Sequence, residues 1–254
     1  MNVIELIMST PTKNDPDDDL LFQSFDYKGS DILIGDLPVY KVGTGSNCII
    51  YAYDIYGTHG GRTRFICDYI ASKGYTVYLP DFFRNTAWIP GEVLSDDFYF
   101  WIKLHNKYNI KEDIYEKLIP YAEDHGTSSF AIIGIHWGAF VVFNVSDSDK
   151  FKCGVSIDPA VYLGVDFKEQ ELELYKKVKC PQLLIVSEEK HIVDKYYSKV
   201  AGILKAQLGK DFYLEKIEGG RDGFFSAQDI NNENIRKLIK KTIDIMLKYI
   251  ASHI

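Results

Sequence analysis

The stretch Phe130-Ala131-Ile132-Ile133-Gly134-Ile135-His136-Trp137-Gly138-Ala139-Phe140 carries the densest chemical information in the chain. A continuous apolar run ends at Gly134, a small-x-His-x-small pattern follows, and a helical pattern begins behind it. A nucleophile elbow needs this layout. Its central residue sits in a strained strand-to-helix turn, where side chains two positions to either side would collide with neighbouring backbone. Gly134 and Gly138 meet that need. Hydrolytic elbows place Ser, Cys or Asp at the centre, whereas this one places His136. The backbone N–H of Trp137 stands where an oxyanion donor would. An imidazole offers no hydroxyl or thiol to acylate, although a neutral histidine can itself attack a carbonyl in an uncommon form of nucleophilic catalysis.

The elements that must position this elbow follow from the hydrophobic periods. Apolar, β-rich runs cover Asp31 to Val42 (a hairpin), Cys48 to Tyr53, Tyr75 to Leu79, Phe130 to Gly134, Cys153 to Ile157, Leu183 to Val186 and Phe212 to Ile217. Helical patterns fill the gaps at Gly61 to Ser72, Ser95 to His105, Lys111 to Glu123, Trp137 to Val145, Phe167 to Val178, Lys195 to Leu208 and Asn232 to Ile250. Cys48 to Tyr53 and Phe130 to Gly134 are continuous rather than alternating, as parallel strands covered on both faces are. The alternation predicts an α/β protein with a doubly wound, mostly parallel sheet of about seven or eight strands. The last helix sets Ile235, Leu238, Ile239, Ile243, Met246, Leu247 and Ile250 against Arg236, Lys237, Lys240, Lys241 and Lys248, a closing helix with one face for the sheet.

Composition bounds the function classes. The chain has 254 residues, 46% hydrophobic and 26% charged, with a formal net charge of −7. That supports a large core in one domain, 21–254, behind an acidic N-terminal arm, 1–20, whose Asp17 to Asp19 run cannot bury a core. The negative charge, with no basic patch, argues against nucleic-acid and anionic-lipid partners. Gly43-Thr44-Gly45 is a turn without the lysine of a phosphate loop. Cys48, Cys67, Cys153 and Cys180 lack metal-ligand or disulfide-framework spacing and read as buried thiols in a reducing compartment. Met1 to Met8 is apolar but short, lacks a basic stretch and is broken by Glu5. No signal peptide, no membrane span of ~20 apolar residues and hence a cytoplasmic location are expected. Phe98, Tyr99, Phe100 and Trp101 stand together in one helical pattern and cannot all face one core, so a protein partner is expected through this region and the arm.

Several motifs in order resemble the dienelactone hydrolase family, also called carboxymethylenebutenolidases, from about Ile34 to the last helix. The elbow is one. Others are Asp54-Ile55-Tyr56-Gly57 with Gly60-Gly61-Arg62, Gly74-Tyr75-Thr76-Val77-Tyr78-Leu79-Pro80-Asp81-Phe82-Phe83-Arg84, Pro181 to Val193, and Glu218 to Phe224. The resemblance implies an α/β-hydrolase fold and a Cys-Asp-His triad. The family's Cys falls on His136, its Asp on Lys190 within Ser187-Glu188-Glu189-Lys190-His191-Ile192-Val193, and its His on Asp222 within Gly220-Arg221-Asp222-Gly223-Phe224. It also implies a substrate-facing arginine at Arg84 and a substrate-side loop at Asp54. The family's second arginine falls near Ser226.

All three triad positions are therefore substituted, and the set cannot run the usual mechanism. No imidazole stands at the base position, and a carboxylate with an ordinary pKa near ~4 is a poor base at neutral pH. Three readings of His136, Lys190 and Asp222 stand side by side. In the first, Lys190 and Asp222 pair, His136 bonds to one of them, the site is closed, and the chain is a pseudoenzyme serving as a structural or interaction subunit. In the second, His136 attacks small esters, thioesters or lactones as a divergent hydrolase. In the third, His136 and Asp222, with Asp54 or His59, hold a metal, although no HExxH-type spacing supports it. His191 reads as a turn residue. No metal and no other cofactor is expected.

Overall fold

The computed structural model describes residues 21–22, 26–88, 95–105, 109–165, 168–189, 194–226 and 230–254. The acidic arm, Lys190 and His191 lie outside the described residues. Among the described residues the strands are β1 (Ser30–Ile34), β2 (Leu37–Val42), β3 (Asn47–Ala52), β4 (Thr76–Pro80), β5 (Ser129–Ile135), β6 (Phe151–Ile157), β7 (Gln182–Ser187) and β8 (Phe212–Ile217). They form one sheet in the order β1-β2-β4-β3-β5-β6-β7-β8. The β1–β2 and β2–β4 pairs are antiparallel, and every pair from β4–β3 to β7–β8 is parallel. This is the doubly wound sheet expected, with the strand pairing of an α/β-hydrolase fold.

The centre of the sheet is dry. In β3, Cys48 to Ala52 are all buried, as are Phe130 to Ile135 in β5, because β-branched and aromatic side chains fill both faces. Each fully buried aliphatic or aromatic side chain contributes roughly 1.5–3 kcal/mol. The four thiols lie inside this core, and burial pushes each of them above the ordinary cysteine range.

The helices follow the sequence periods closely: α1 (Thr63–Ser72), α2 (Asp96–His105), α3 (Ile110–Glu112), α4 (Ile119–Asp124), α5 (Gly138–Val145), α6 (Lys168–Lys177), α7 (Asp194–Leu208) and α8 (Glu233–Ala251). One departure is physical. The helix expected at Lys111 to Glu123 runs through a π-helical stretch, Asp113–Leu118, between α3 and α4. Pro120, in the first turn of α4, has no N–H for the carbonyl one turn back, and a widened turn relieves that mismatch. The amphipathic α8 buries Ile235, Ile239, Thr242, Ile243, Met246 and Ile250, and the Asn232 side chain caps it by accepting from Asn234 N at 3.0 Å. No helix among the described residues is long and apolar enough to cross a membrane.

α5 is buried nearly all round, because it runs from the end of β5 beneath the middle of the sheet. The two glycines that bracket its approach have no room for a side chain. A Cβ on Gly134 would lie 2.3 Å from Gly138 O, and one on Gly138 would lie 2.2 Å from Ala52 O. Gly138→Ala is expected to cost about 3 kcal/mol or more, a fall of at least about 6 °C in melting temperature. Gly202→Ala in α7, where the new methyl meets nothing within 4 Å, should instead raise stability by roughly 0.5–1 kcal/mol. Thermal melts of the two variants check the pair.

Candidate functional site

The turn between β5 and α5 holds His136 at φ +48°, a left-handed conformation that costs a non-glycine residue roughly 1–3 kcal/mol. Its backbone is pinned on both sides. His136 N donates to Ile157 O at 3.0 Å, and His136 O accepts from Ala139 N at 3.1 Å and Ala160 N at 3.0 Å. The elbow is thereby tied to the end of β6. Trp137, the N-cap residue of α5, places its N–H among the first-turn donors that intrahelical bonds leave open. The indole beneath is packed on Phe83, with ring centroids 4.4 Å apart, and on Tyr53.

The His136 side chain is 19% exposed, and its Nε2 lies 3.0 Å from Asp222 Oδ1. Asp222 comes from the loop after β8, which is fastened to the loop after β7. Asp222 N donates to Glu189 Oε2 at 3.1 Å, Gly219 N to Glu188 Oε2 at 2.7 Å, and Glu189 N to Gly220 O at 3.1 Å. Asp222 is 57% exposed on this side, and Lys190, its expected partner in the ion-pair reading, lies outside the described residues. Tyr162 lies near enough to Asp222 to feel its charge. Partial burial and the nearby Asp222 carboxylate raise the Tyr162 phenol above its ordinary range.

A second acid joins His136 and Asp222. Asp158, directly after β6, is 1% exposed and adopts φ +44°. Its N donates to Ile185 O at 2.8 Å, and its Oδ1 accepts from Ser187 N at 2.7 Å. One donor atom each from His136, Asp158 and Asp222 fall within 4.8 Å of one another. Asp158 follows the expected strand Cys153 to Ile157 and carries no local motif. Its position, first after β6 and on the carboxyl edge where open α/β sheets place their sites, was the available clue.

Other expected site residues face elsewhere. Arg84, at φ +52°, is held by Asp113 at 2.8 Å and Asp36 at 3.2 Å. Lys117 joins the same two carboxylates at 2.8 and 2.7 Å. Asp54 is buried, accepting from Tyr56 N at 2.9 Å and from Ser226 Oγ at 3.0 Å, so it staples the loop after β3 to the loop after β8. Ser226 is thus a strut at the position where the family's second arginine was expected. His59 Nε2 lies 3.0 Å from Arg64 Nη2. Neither Asp54 nor His59 belongs to the His136 cluster; Asp158 does. In α2, Phe98 is buried, Trp101 is half-buried, and Tyr99 and Phe100 are exposed, Phe100 by 67%.

Against known families, residues 40–250 match the model described as the dienelactone hydrolase family. The chain belongs to the dienelactone hydrolase family. The human protein described as a carboxymethylenebutenolidase homolog is 28% identical over 179 residues, 69% of each chain. Its Xenopus tropicalis counterpart is 25% identical over 234 residues, 88% of this chain and 92% of its own. Among solved structures, a candidate dienelactone hydrolase of Klebsiella pneumoniae superposes with a TM-score of 0.66 at 16% identity, covering 88% of this chain and 98% of its own. The dienelactone hydrolase of Anabaena variabilis gives 0.58 at 12%, covering 89% and 99%. These structural likenesses establish the fold of this family member.

The Arg84 clamp has a pH signature. Lys117 first, and Arg84 beside it, hold the Asp36 carboxyl down at about 2. A folded-state value below the unfolded ~3.9 gives stability that is present above pH ~4 and lost as the pH falls through about 2. Asp36 is well exposed, so the contribution is less than about 1 kcal/mol. Asp36→Asn should therefore melt lower than wild type at pH 7 and converge with it near pH 2. A constant difference across that range in acid-titrated melts would refute the clamp.

Proposed function

We propose that this chain is a non-hydrolytic member of the dienelactone hydrolase family, a pseudoenzyme that binds rather than cleaves and works as an interaction subunit. The observation that carries the reading is the elbow's occupant: an imidazole whose Nε2 lies 3.0 Å from a carboxylate, at the turn where hydrolytic elbows carry a hydroxyl or thiol. Acyl transfer in this fold needs a nucleophile at that turn and a base to take its proton. In the resemblance of motifs, Asp222 stands in the base position, where a carboxylate is a poorer base than the imidazole it replaces. The buried, high-pKa cysteines supply no substitute nucleophile. Arg84, paired with Asp113 and Asp36, is not presented to a substrate anion. The exposed Tyr99 and Phe100 on α2 are the apolar surface that such a subunit would offer a protein partner.

The retained strain at His136 favours a second reading, a divergent hydrolase, because a left-handed non-glycine elbow is a costly turn to keep for packing alone. In that scheme an imidazole nitrogen attacks the ester or thioester carbonyl, the alkoxide or thiolate leaves, and water hydrolyses the acyl-imidazole. A panel of small activated esters, thioesters and lactones separates the two. The non-hydrolytic reading expects wild type and His136→Ala to match the buffer blank with the fold intact, whereas turnover by wild type that His136→Ala abolishes would establish the divergent hydrolase.

A further inference from the structure

The Asp158 carboxylate has no place in the elbow chemistry, yet the fold delivers it to His136 with care. Three consecutive parallel strands hand residues to the same point on the carboxyl edge. β5 supplies His136, β6 supplies Asp158, and the end of β7 supplies the Ser187 N–H that holds Asp158 Oδ1. The loop after β8 then brings Asp222 from the open side.

From this convergence we propose that His136, Asp158 and Asp222 form a binding site for one divalent transition-metal ion. The proposal rests on the reading that His136 is not an acyl acceptor, since an imidazole nitrogen engaged by a cation is unavailable to attack a carbonyl.

The donor set is mixed, one imidazole nitrogen and two carboxylates, which suits ions that accept both nitrogen and oxygen, such as Zn2+, Mn2+ or Co2+. The spacing fits as well. Two ligands about 2.1 Å from an ion stand about 3.0 Å apart at a right angle and about 3.4 Å apart at a tetrahedral angle. His136 Nε2 and Asp222 Oδ1 are 3.0 Å apart. All three donor atoms lie within 4.8 Å of one another, so the separations to Asp158 close by at most about 1.4 Å to reach the tetrahedral spacing. Metal-bound carboxylates are oriented by outer hydrogen bonds, and the Ser187 N–H supplies one to Asp158. A doubly charged cation suits a donor set that contains the two carboxylates of Asp158 and Asp222. Three protein ligands leave further coordination positions on the side of the exposed Asp222, which Tyr162 lies near.

The test uses the full chain, stripped with chelator and then dialysed against Zn2+ or Co2+, with metal content and the Co2+ visible spectrum as readouts. Wild type should retain one equivalent and show the absorption of a protein-bound, low-coordinate Co2+. His136→Gln and the solvent-side Asp222→Asn should each weaken binding by more than the about 10–100-fold that loss of an outer-shell partner costs. Asp158→Asn, checked for fold by circular dichroism, should do the same. No stoichiometric ion in wild type, or retention unchanged in His136→Gln and Asp222→Asn, overturns the site. Ester turnover measured on the same metal-free samples keeps the two ideas apart. Loss of the ion without turnover defeats the metal site alone, whereas turnover that depends on His136 defeats the non-hydrolytic reading on which it rests.

Discussion

The approach of α5 to β3, closed to within the width of a missing side chain at Gly138, fixes most of what this molecule can do. Because Gly138 lies against the Ala52 carbonyl and Gly134 against Gly138, the chain must turn sharply at residue 136 and drive α5 under the sheet. That turn forces a left-handed backbone on a histidine and ties it to the end of β6. From there the parallel register carries the constraint sideways, through the Asp158 N–H on Ile185 and the Ser187 N–H on Asp158, to the end of β7. A site is therefore assembled whatever residue occupies the elbow. At residue 136 that turn presents an imidazole.

The site's side chains have the opposite electrical character from those the family resemblance implies. The arginine expected to face a substrate anion is folded back onto Asp113 and Asp36, where it braces the β1–β2 turn against the π-helical stretch. The carboxyl edge instead gathers Asp158 and Asp222 around an imidazole. Fold alone never specifies activity, and here the difference resides in a handful of side chains on a conserved type of scaffold.

Much of this was legible in the sequence for simple reasons. Continuous apolar runs such as Cys48 to Tyr53 admit little but buried parallel strands, and the 3.6-residue stripe from Ile235 to Ile250 admits little but a helix on the sheet. The elbow was legible because its glycines answer a steric demand. Three things were not. The π-helical stretch at Asp113–Leu118 keeps an ordinary helical apolar pattern, so its period hides the widened turn. Asp158 reached the site through tertiary register rather than through any local spacing. Arg84 carried a matching neighbourhood in sequence, but its partners Asp36 and Asp113 are 48 and 29 residues away. Lys190, central to the ion-pair reading, lies outside the described residues.

The central claim is that no acyl group passes through this elbow. Rapid quenching of the protein with an activated ester, followed by intact-mass measurement and peptide mapping, addresses it without any assumption about the natural substrate. The account predicts an unmodified mass and an unmodified His136 peptide at every time point. A transient acyl adduct on His136 that forms and decays would contradict it.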